Sequence, residues 1–269
     1  MPKAAVLGAL WLLAALPATA HVGFTLEPAR ARYHAIERFD NGATANSETG
    51  TLDGGRGTLW WDAGSWRAGV SASRLAGSIA YAGRSQIGLP VRTTTHLGID
   101  EAALDAGWSL GTQGDLSAGV TGALGVRRVD RAITASLFST PLTEVLHWRF
   151  AQLGAQARWA FAPGWFALAS AGIEHGLGAR LAVDFHGVAD PVRLSPGHGG
   201  LGHRFDLGLG HEIAPGVTFG LRAGTARQRY GGSPAEPYRR NGQVVGQARY
   251  PGSTQRQTDL QLVLTMEWR

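Results

Sequence analysis

A short stretch in the second half of the sequence pairs an acid with an imidazole. Asp184-Phe185-His186 places a carboxylate two residues from a histidine, so both side chains would leave an extended strand on the same face. A carboxylate placed there orients an imidazole and stabilises its charged form, which suits general-base chemistry. Asp184 and His186 are therefore the candidate catalytic residues, although such a pair also arises by chance in strands without a catalytic role.

A basic and aromatic segment near the C-terminus is the second candidate site. It runs from Gly231 to Ser253, and its candidate ligand-binding residues are Tyr238, Arg239, Arg240, Arg249 and Tyr250. Guanidinium groups pair with phosphate oxygens through charge-assisted hydrogen bonds, so the segment suits lipopolysaccharide phosphates or a surface partner. The alternative is an ordinary solvated loop.

The other histidines and the glycines do not form a cofactor motif. His198, His203 and His211 are spread over one segment without recognisable ligand spacing. No glycine-rich phosphate motif follows the required order of strand and helix. The sequence therefore predicts neither a metal nor a cofactor.

Period-two alternation predicts that the candidate residues lie on or beside long β-strands. In Leu116–Val126, apolar residues such as Leu116, Val120 and Leu124 alternate with small or polar ones. A soluble sandwich alternates too, but its strands average about five or six residues. Many segments here alternate over about ten residues, which is the length that a tilted membrane strand needs.

Short and long connections alternate along the chain, as in outer-membrane barrels. The four short turns are predicted at Asp62–Ser65, Gly111–Gly114, Ala162–Gly164 and Ala214–Gly216. The five long loops are predicted at Asp40–Gly50, Gly83–Thr95, Arg131–Thr143, His186–Gly200 and Gly231–Ser253. Nine such connections require ten strands, with both chain ends on the side of the short turns.

Aromatic residues are sorted by strand end. Tryptophans flank the short turns at Trp60, Trp61, Trp66, Trp108, Trp159, Trp165 and Trp268, and tyrosine or phenylalanine lies toward the other ends. Two such belts mark the two interfaces of a bilayer. In hydrocarbon a sheet must close on itself to pair its backbone groups. The predicted fold is all-β, a transmembrane antiparallel up-and-down β-barrel of ten strands.

The opposite face of each strand should line the lumen. Alternation assigns to it the residues Arg30, Arg32, His34, Glu101, Asp105, Arg127, Arg158, Glu174, Arg180, Asp184, Arg204, Asp206, Glu212, Arg222, Asp259 and Glu267. His186 would follow on the same face, with Leu181, Val183 and Phe185 toward lipid. Mixed signs in so narrow a barrel indicate a lumen largely filled by salt bridges, which disfavours a general diffusion porin.

The first twenty residues have the form of a secretory signal peptide. Lys3 precedes the apolar stretch Ala4–Leu16, and Ala18-Thr19-Ala20 is a small-x-small cleavage site. An uncleaved anchor is the alternative. We expect cleavage, residues 21–269 as one barrel domain, and a Gram-negative outer-membrane location. The formal charge is +5, but the arginines are scattered singly, which argues against nucleic-acid binding.

Two features resemble known outer-membrane proteins. Leu260–Trp268 resembles the aromatic-ended final strand through which barrels engage the assembly machinery, although Arg269 follows it. Asp184-Phe185-His186 resembles the Asp-x-His pair of omptins, ten-stranded outer-membrane proteases that carry it near the top of strand seven. Glu101–Gly119 also resembles omptin strands four and five. The resemblance implies a second acidic pair between strands three and four, where residues 83–92 contain no acid.

Three functions stay open on this reasoning. The first is a non-enzymatic structural, adhesin-like or binding barrel that acts through its external loops, and the missing acids favour it. The second is a diverged omptin-like surface protease or hydrolase that uses Asp184 and His186. The third is a narrow channel.

Overall fold

The computed structural model describes residues 21–84, 89–137, 139–197 and 199–268. Within this part of the chain there is no helix long and apolar enough to cross a membrane. The predicted signal peptide, residues 1–20, lies outside the described residues, and so does His198.

Ten long antiparallel strands form a closed barrel, as predicted. They are β1 His21–Arg38, β2 Thr44–Ala63, β3 Trp66–Arg84, β4 Pro90–Gln113, β5 Leu116–Ile133, β6 Leu142–Ala162, β7 Trp165–Asp184, β9 Gly202–Ala214, β10 Val217–Tyr230 and β13 Gly252–Trp268. Pairing of β1 with β13 closes the ring from Val22 and Trp268 to Arg38 and Gly252. Closure leaves no unpaired edge exposed to lipid.

Three short strands lie in the external connections: β8 Val192–Leu194, β11 Glu236–Arg240 and β12 Gln243–Ala248. β8 pairs with the upper part of β7, above the stretch of β7 that pairs with β9. β11 and β12 form a separate two-stranded hairpin.

The four short turns are where the sequence predicts them. Each contains a glycine with positive φ, namely Gly64 (69°), Gly114 (58°), Gly164 (74°) and Gly216 (74°). Tight hairpin turns need this left-handed conformation, which glycine adopts without a Cβ clash. The turns therefore define one end of the barrel, which we call the periplasmic end.

Two external loops are shorter than predicted, because the strands continue through them. β2 begins at Thr44 rather than after Gly50, and β4 begins at Pro90 rather than after Thr95. β4 has 24 residues, more than twice the roughly 9–11 that cross a bilayer. The upper barrel thus stands above the lipid, where polar residues on both faces are compatible with a strand.

An apolar band surrounds the lower barrel. Its exposed outward residues include Leu104, Leu124, Leu153, Phe205, Leu207, Leu221, Leu260 and Leu262. Trp66, Trp108, Trp159, Trp165 and Trp268 are exposed at the periplasmic edge of this band, whereas Trp60 turns into the lumen. Such a surface is costly in water and is the surface expected in contact with lipid.

The predicted lumen positions need correction on β1. Arg30, Arg32 and His34 point outward, while Ala31, Tyr33 and Ala35, which alternate with them, are buried inside. Arg30 lies 3.6 Å from Asp53 on β2, and Arg32 and His34 are exposed nearer the external end of β1. Apolar residues face inward there because the upper lumen is filled by a hydrophobic core.

A β-bulge at Leu177 corrects the prediction for β7. Phe150 pairs with Gly176 and its neighbour Arg149 pairs with Gly178, so Leu177 has no partner on β6. The extra residue inverts the alternation above it. Arg180 and Asp184 consequently point outward, and Leu181 and Val183 are buried inside.

Candidate functional site

Asp184 and His186 lie together at the external end of β7, but not as a carboxylate–imidazole pair. The backbone N–H of His186 donates to Asp184 Oδ1 at 2.8 Å. The imidazole Nε2 lies 2.8 Å from Thr143 Oγ1 on β6. His186 has φ 52°, so the chain turns directly after the strand and sends the two side chains apart.

This geometry is that of an Asx turn, in which an aspartate accepts a hydrogen bond from the backbone two residues on. Both side chains are exposed on the outer rim. The described residues include no group of three or more His, Cys, Asp or Glu arranged to hold a metal ion. The catalytic role of Asp184 and His186 stays a prediction.

The five candidate ligand residues occupy different environments. Tyr238 stacks on Phe185 with ring centroids 5.4 Å apart. Arg239 and Arg240 are exposed on β11, and Arg239 Nη1 donates to Gly242 O at 2.9 Å. Arg249 pairs with Asp40 in another loop, and Tyr250 is buried in the core at 4% exposure. The exposed members therefore do not form one surface, and ligand binding by this set stays a prediction.

The lower lumen holds an ion-pair network as the sequence predicts. Arg127 on β5 reaches Glu101 at 2.7 Å and Glu174 at 2.9 Å. Arg204 pairs with Asp206 at 2.8 Å, and Arg222 pairs with Glu27 at 2.6 Å. A polar cavity of about 370 Å³ lies among these side chains.

A hydrophobic layer fills the lumen above this cavity. It includes the buried side chains Tyr33, Leu52, Ile79, Leu97, Val129, Leu146, Trp148, Phe150, Leu181, Leu194 and Tyr230. Trp148 and Tyr230 meet edge to face, with centroids 4.5 Å apart. The layer separates the polar cavity from the external end of the barrel.

A row of positive and ionisable side chains crosses four neighbouring strands on the outside. Arg227 on β10 is directly opposite His203 on β9 and Arg256 on β13. Arg256 is in turn opposite His34 on β1. We call His203, Arg227, Arg256 and His34 the cationic row.

Two further arginines extend this patch. Arg229 points outward two residues above Arg227, and Arg32 does so two residues below His34. Like-charge repulsion by Arg229 lowers the pKa of the Arg227 guanidinium, and desolvation followed by repulsion from Arg256 adds to the shift. Within the described ranges, no carboxylate lies within salt-bridge distance of Arg227, Arg229 or Arg256.

Some outward arginines elsewhere on the barrel have acidic partners, whereas Arg149 and Arg180 have none among the described residues. Arg74 lies 3.7 Å from Asp100, and Arg128 lies 2.8 Å from Asp130. The cationic row is therefore a local excess of positive charge. Sequence reasoning missed it, although Arg227 has the same outward parity as Leu221 and Ala223.

Solved outer-membrane proteins share this architecture. The crystal structure of the outer-membrane protease OmpT from Escherichia coli matches with a TM-score of 0.69 and 8% identity, covering 94% of this chain and 97% of that one. The chain has an omptin-like fold.

Other barrels match less closely. A major outer-membrane protein from Thermus thermophilus has a TM-score of 0.44 at 10% identity, covering 92% of this chain and 99% of that one. The translocator domain of the autotransporter NalP from Neisseria meningitidis has a TM-score of 0.43 at 11% identity, covering 98% and 94%. No family's sequence profile matches the chain, and no curated protein matches it in sequence. At these identities the omptin-like fold is shown, and the activity is not.

Proposed function

We propose that this protein is an outer-membrane binding barrel whose cationic row holds the phosphate groups of lipopolysaccharide. The observation that carries the proposal is that Arg227 and Arg256 are directly opposite each other, with His203 and His34 in register on either side. Like charges directly opposite each other on a sheet are destabilising. A bound anion removes that penalty.

The height of the row suits a lipid headgroup. On β9 the next outward residue below the row is Phe205, and Leu260 and Leu221 lie further down β13 and β10; all three belong to the apolar band. Headgroups of the outer leaflet lie just above hydrocarbon, where guanidinium groups form charge-assisted bonds with phosphate oxygens. The exposed arginines of β11 lie further out and suit the sugar-bearing part of the same lipid or a surface partner.

Lipid binding to refolded protein in detergent tests this proposal. We expect Arg227→Gln/Arg256→Gln to weaken lipopolysaccharide binding by at least roughly tenfold, because each charge-assisted bond contributes about 1.5–3 kcal/mol. Arg74→Gln/Arg128→Gln is the matched control, since it removes two outward arginines that have acidic partners. Lipopolysaccharide from which the phosphates have been removed should bind the two double variants with equal affinity. Equal loss in the two double variants would contradict the proposal.

A diverged omptin-like hydrolase is the second candidate, favoured by the likeness to OmpT. In this alternative, Thr143 would release His186, and Asp184 would turn from the backbone to orient the imidazole. Cleavage of dibasic peptides in the presence of lipopolysaccharide tests it. Activity that is lost in His186→Ala and kept in His147→Ala, an outward histidine lower on β6, would establish this function.

We also propose the route by which the barrel reaches the membrane. Residues 1–20 direct export and are removed, and Leu260–Trp268 engages the barrel-assembly machinery as the closing strand. Mass measurement of the mature protein tests the first step. Assembly of a variant with Trp268→Ser, compared with Trp159→Ser in the same belt, tests the second.

A further inference from the structure

A second ion cluster closes the external end of the lumen, above the hydrophobic layer. Arg131 on β5 reaches Glu144 on β6 at 2.5 Å, Glu37 on β1 at 2.7 Å and Glu48 on β2 at 3.1 Å. These side chains are nearly buried, and Glu144 is the most exposed of them at 14%. We call these four residues the Arg131 cluster.

The cluster joins two distant parts of the wall. β1 and β2 lie three to five strands away from β5 and β6 around the ten-stranded ring. Arg131 bridges the lumen between them. Each acid lies a few residues above the hydrophobic layer on its own strand, for example Glu144 above Leu146 and Glu37 above Tyr33.

The charges in the cluster do not balance. Three carboxylates converge on one guanidinium, and such a buried excess of negative charge is costly unless one carboxyl keeps a proton. Glu37 also accepts from Asn46 Nδ2 at 2.5 Å, and Glu48 accepts from Thr95 Oγ1 at 2.7 Å. In the described part of the chain, Arg131 is the only donor to Glu144. Glu144 is therefore the carboxyl best placed to carry the proton.

Other elements around the cluster supply few balancing charges. β3 contributes Tyr81, β4 contributes the neutral Thr95, and β7 places the apolar Val183 opposite Glu144. The external loop adds Tyr250, a phenol that stays neutral because burial raises its pKa. Arg131 is the one cation that faces Glu144 among the described groups.

We propose that the Arg131 cluster is a proton-operated latch on the external end of the barrel. With Glu144 protonated, the latch ties β5 and β6 to β1 and β2 across the lumen. Loss of that proton adds a third negative charge around Arg131, loosens the tie and opens the apolar layer beneath to solvent. This inference does not rest on the proposed lipid binding.

The electrostatics give the pH range and the sign. Burial raises the pKa of Glu144, Arg131 opposes that rise, and Glu37 and Glu48 add to it, so that the pKa lies at about 7. A carboxyl whose pKa is raised by closing favours the closed state fully below its open-state pKa, near 4.5. That contribution falls as the pH rises and is lost once the pH passes about 7.

Thiol labelling measures the opening, because the chain contains no cysteine of its own. Ala35→Cys places a probe at a buried lumen position between Tyr33 and Glu37, where alanine is 4% exposed. Leu137→Cys, at a position 89% exposed, corrects for the pH dependence of the thiol itself. We expect the ratio of the two labelling rates to rise at least roughly tenfold from pH 5.5 to 8.5, with a midpoint near 7.

Two variants of the cluster and one control variant test the proposal further. Glu144→Gln mimics the protonated form and should keep the ratio low at every pH, whereas Glu236→Gln, in an exposed hairpin, should behave as wild type. Glu48→Gln removes one repelling charge and should move the midpoint to lower pH. A ratio that does not change with pH, or that changes equally in folded Glu144→Gln, overturns the proposal. If Glu144→Gln does not fold, an unshifted midpoint in Glu48→Gln overturns it.

Discussion

At the scale of single residues, arginine side chains hold most of the buried carboxylates inside this barrel. Arg127 and Arg131 each bind two or more carboxylates from other strands, and Arg204 binds Asp206 on its own strand and Asp259 on β13. The planar guanidinium offers five donors and stays charged when buried, so one residue satisfies several strands. The mixed charges along the sequence predicted ion pairs, but not which acids share one arginine.

The contribution of such an arginine to the free energy of unfolding depends on how deeply its ion pairs are buried. Arg127→Met would leave Glu101 and Glu174 unpaired within the lumen, and we expect a loss of about 3–5 kcal/mol in the free energy of unfolding. Arg128→Met next to it removes an exposed pair with Asp130 and should cost less than about 1 kcal/mol. Urea unfolding in micelles, followed by tryptophan fluorescence, measures both. If the two variants lost similar amounts of unfolding free energy, burial of the ion pair would not determine the effect of its removal.

At the scale of the strand, a single extra residue decides which side chains meet. The bulge at Leu177 inverts β7, so Asp184 leaves the lumen and Leu181 enters it. Strict alternation from Glu174 predicted the reverse. A bulge has no reliable signature in one sequence, and the flanking Gly176 and Gly178 were a hint that sequence reasoning did not use.

Deletion of Leu177 should be tolerated. The partners of Gly176 and Gly178 are already adjacent on β6, so the shortened strand keeps every inward residue in place. We expect a loss within about 1 kcal/mol and a normal folded band on an unheated gel. Deletion of Ala171 from the regular part of β7 instead turns Glu174 outward and unpairs it from Arg127. A folded band for the Ala171 deletion, together with no folded band for the Leu177 deletion, would contradict this account of the bulge.

At the scale of the whole molecule, the barrel is filled rather than open. A polar cavity occupies its lower part, a hydrophobic layer lies above it, and the Arg131 cluster closes the external end. Ten strands leave an interior that side chains can occupy. The narrow-channel hypothesis therefore requires this packing to open.

We expect no steady conductance at pH 6, where the Arg131 cluster is protonated and the hydrophobic layer is intact. Planar-bilayer recording of the refolded protein measures this. Leu52→Gly/Leu97→Gly, which thins the layer, is the variant to compare, and it should raise conductance if the layer is the barrier. Steady current through the wild-type protein at this pH would show that the layer is not closed.

The sequence by itself determined the fold class, the ten strands, the short turns and the outward apolar band. These follow from local rules: alternation with period two, turns that need glycine, and aromatic residues at the ends of strands that cross lipid. Such rules act within one strand or one turn, so they can be read from consecutive residues.

Only the tertiary structure decided which side chains meet. The cationic row joins residues 34, 203, 227 and 256, and the Arg131 cluster joins residues 37, 48, 131 and 144. Strand register sets the first, and the distance across a closed ring sets the second. Both depend on bulges, strand lengths and ring closure summed around the barrel, because a shift of one residue moves every side chain to the other face.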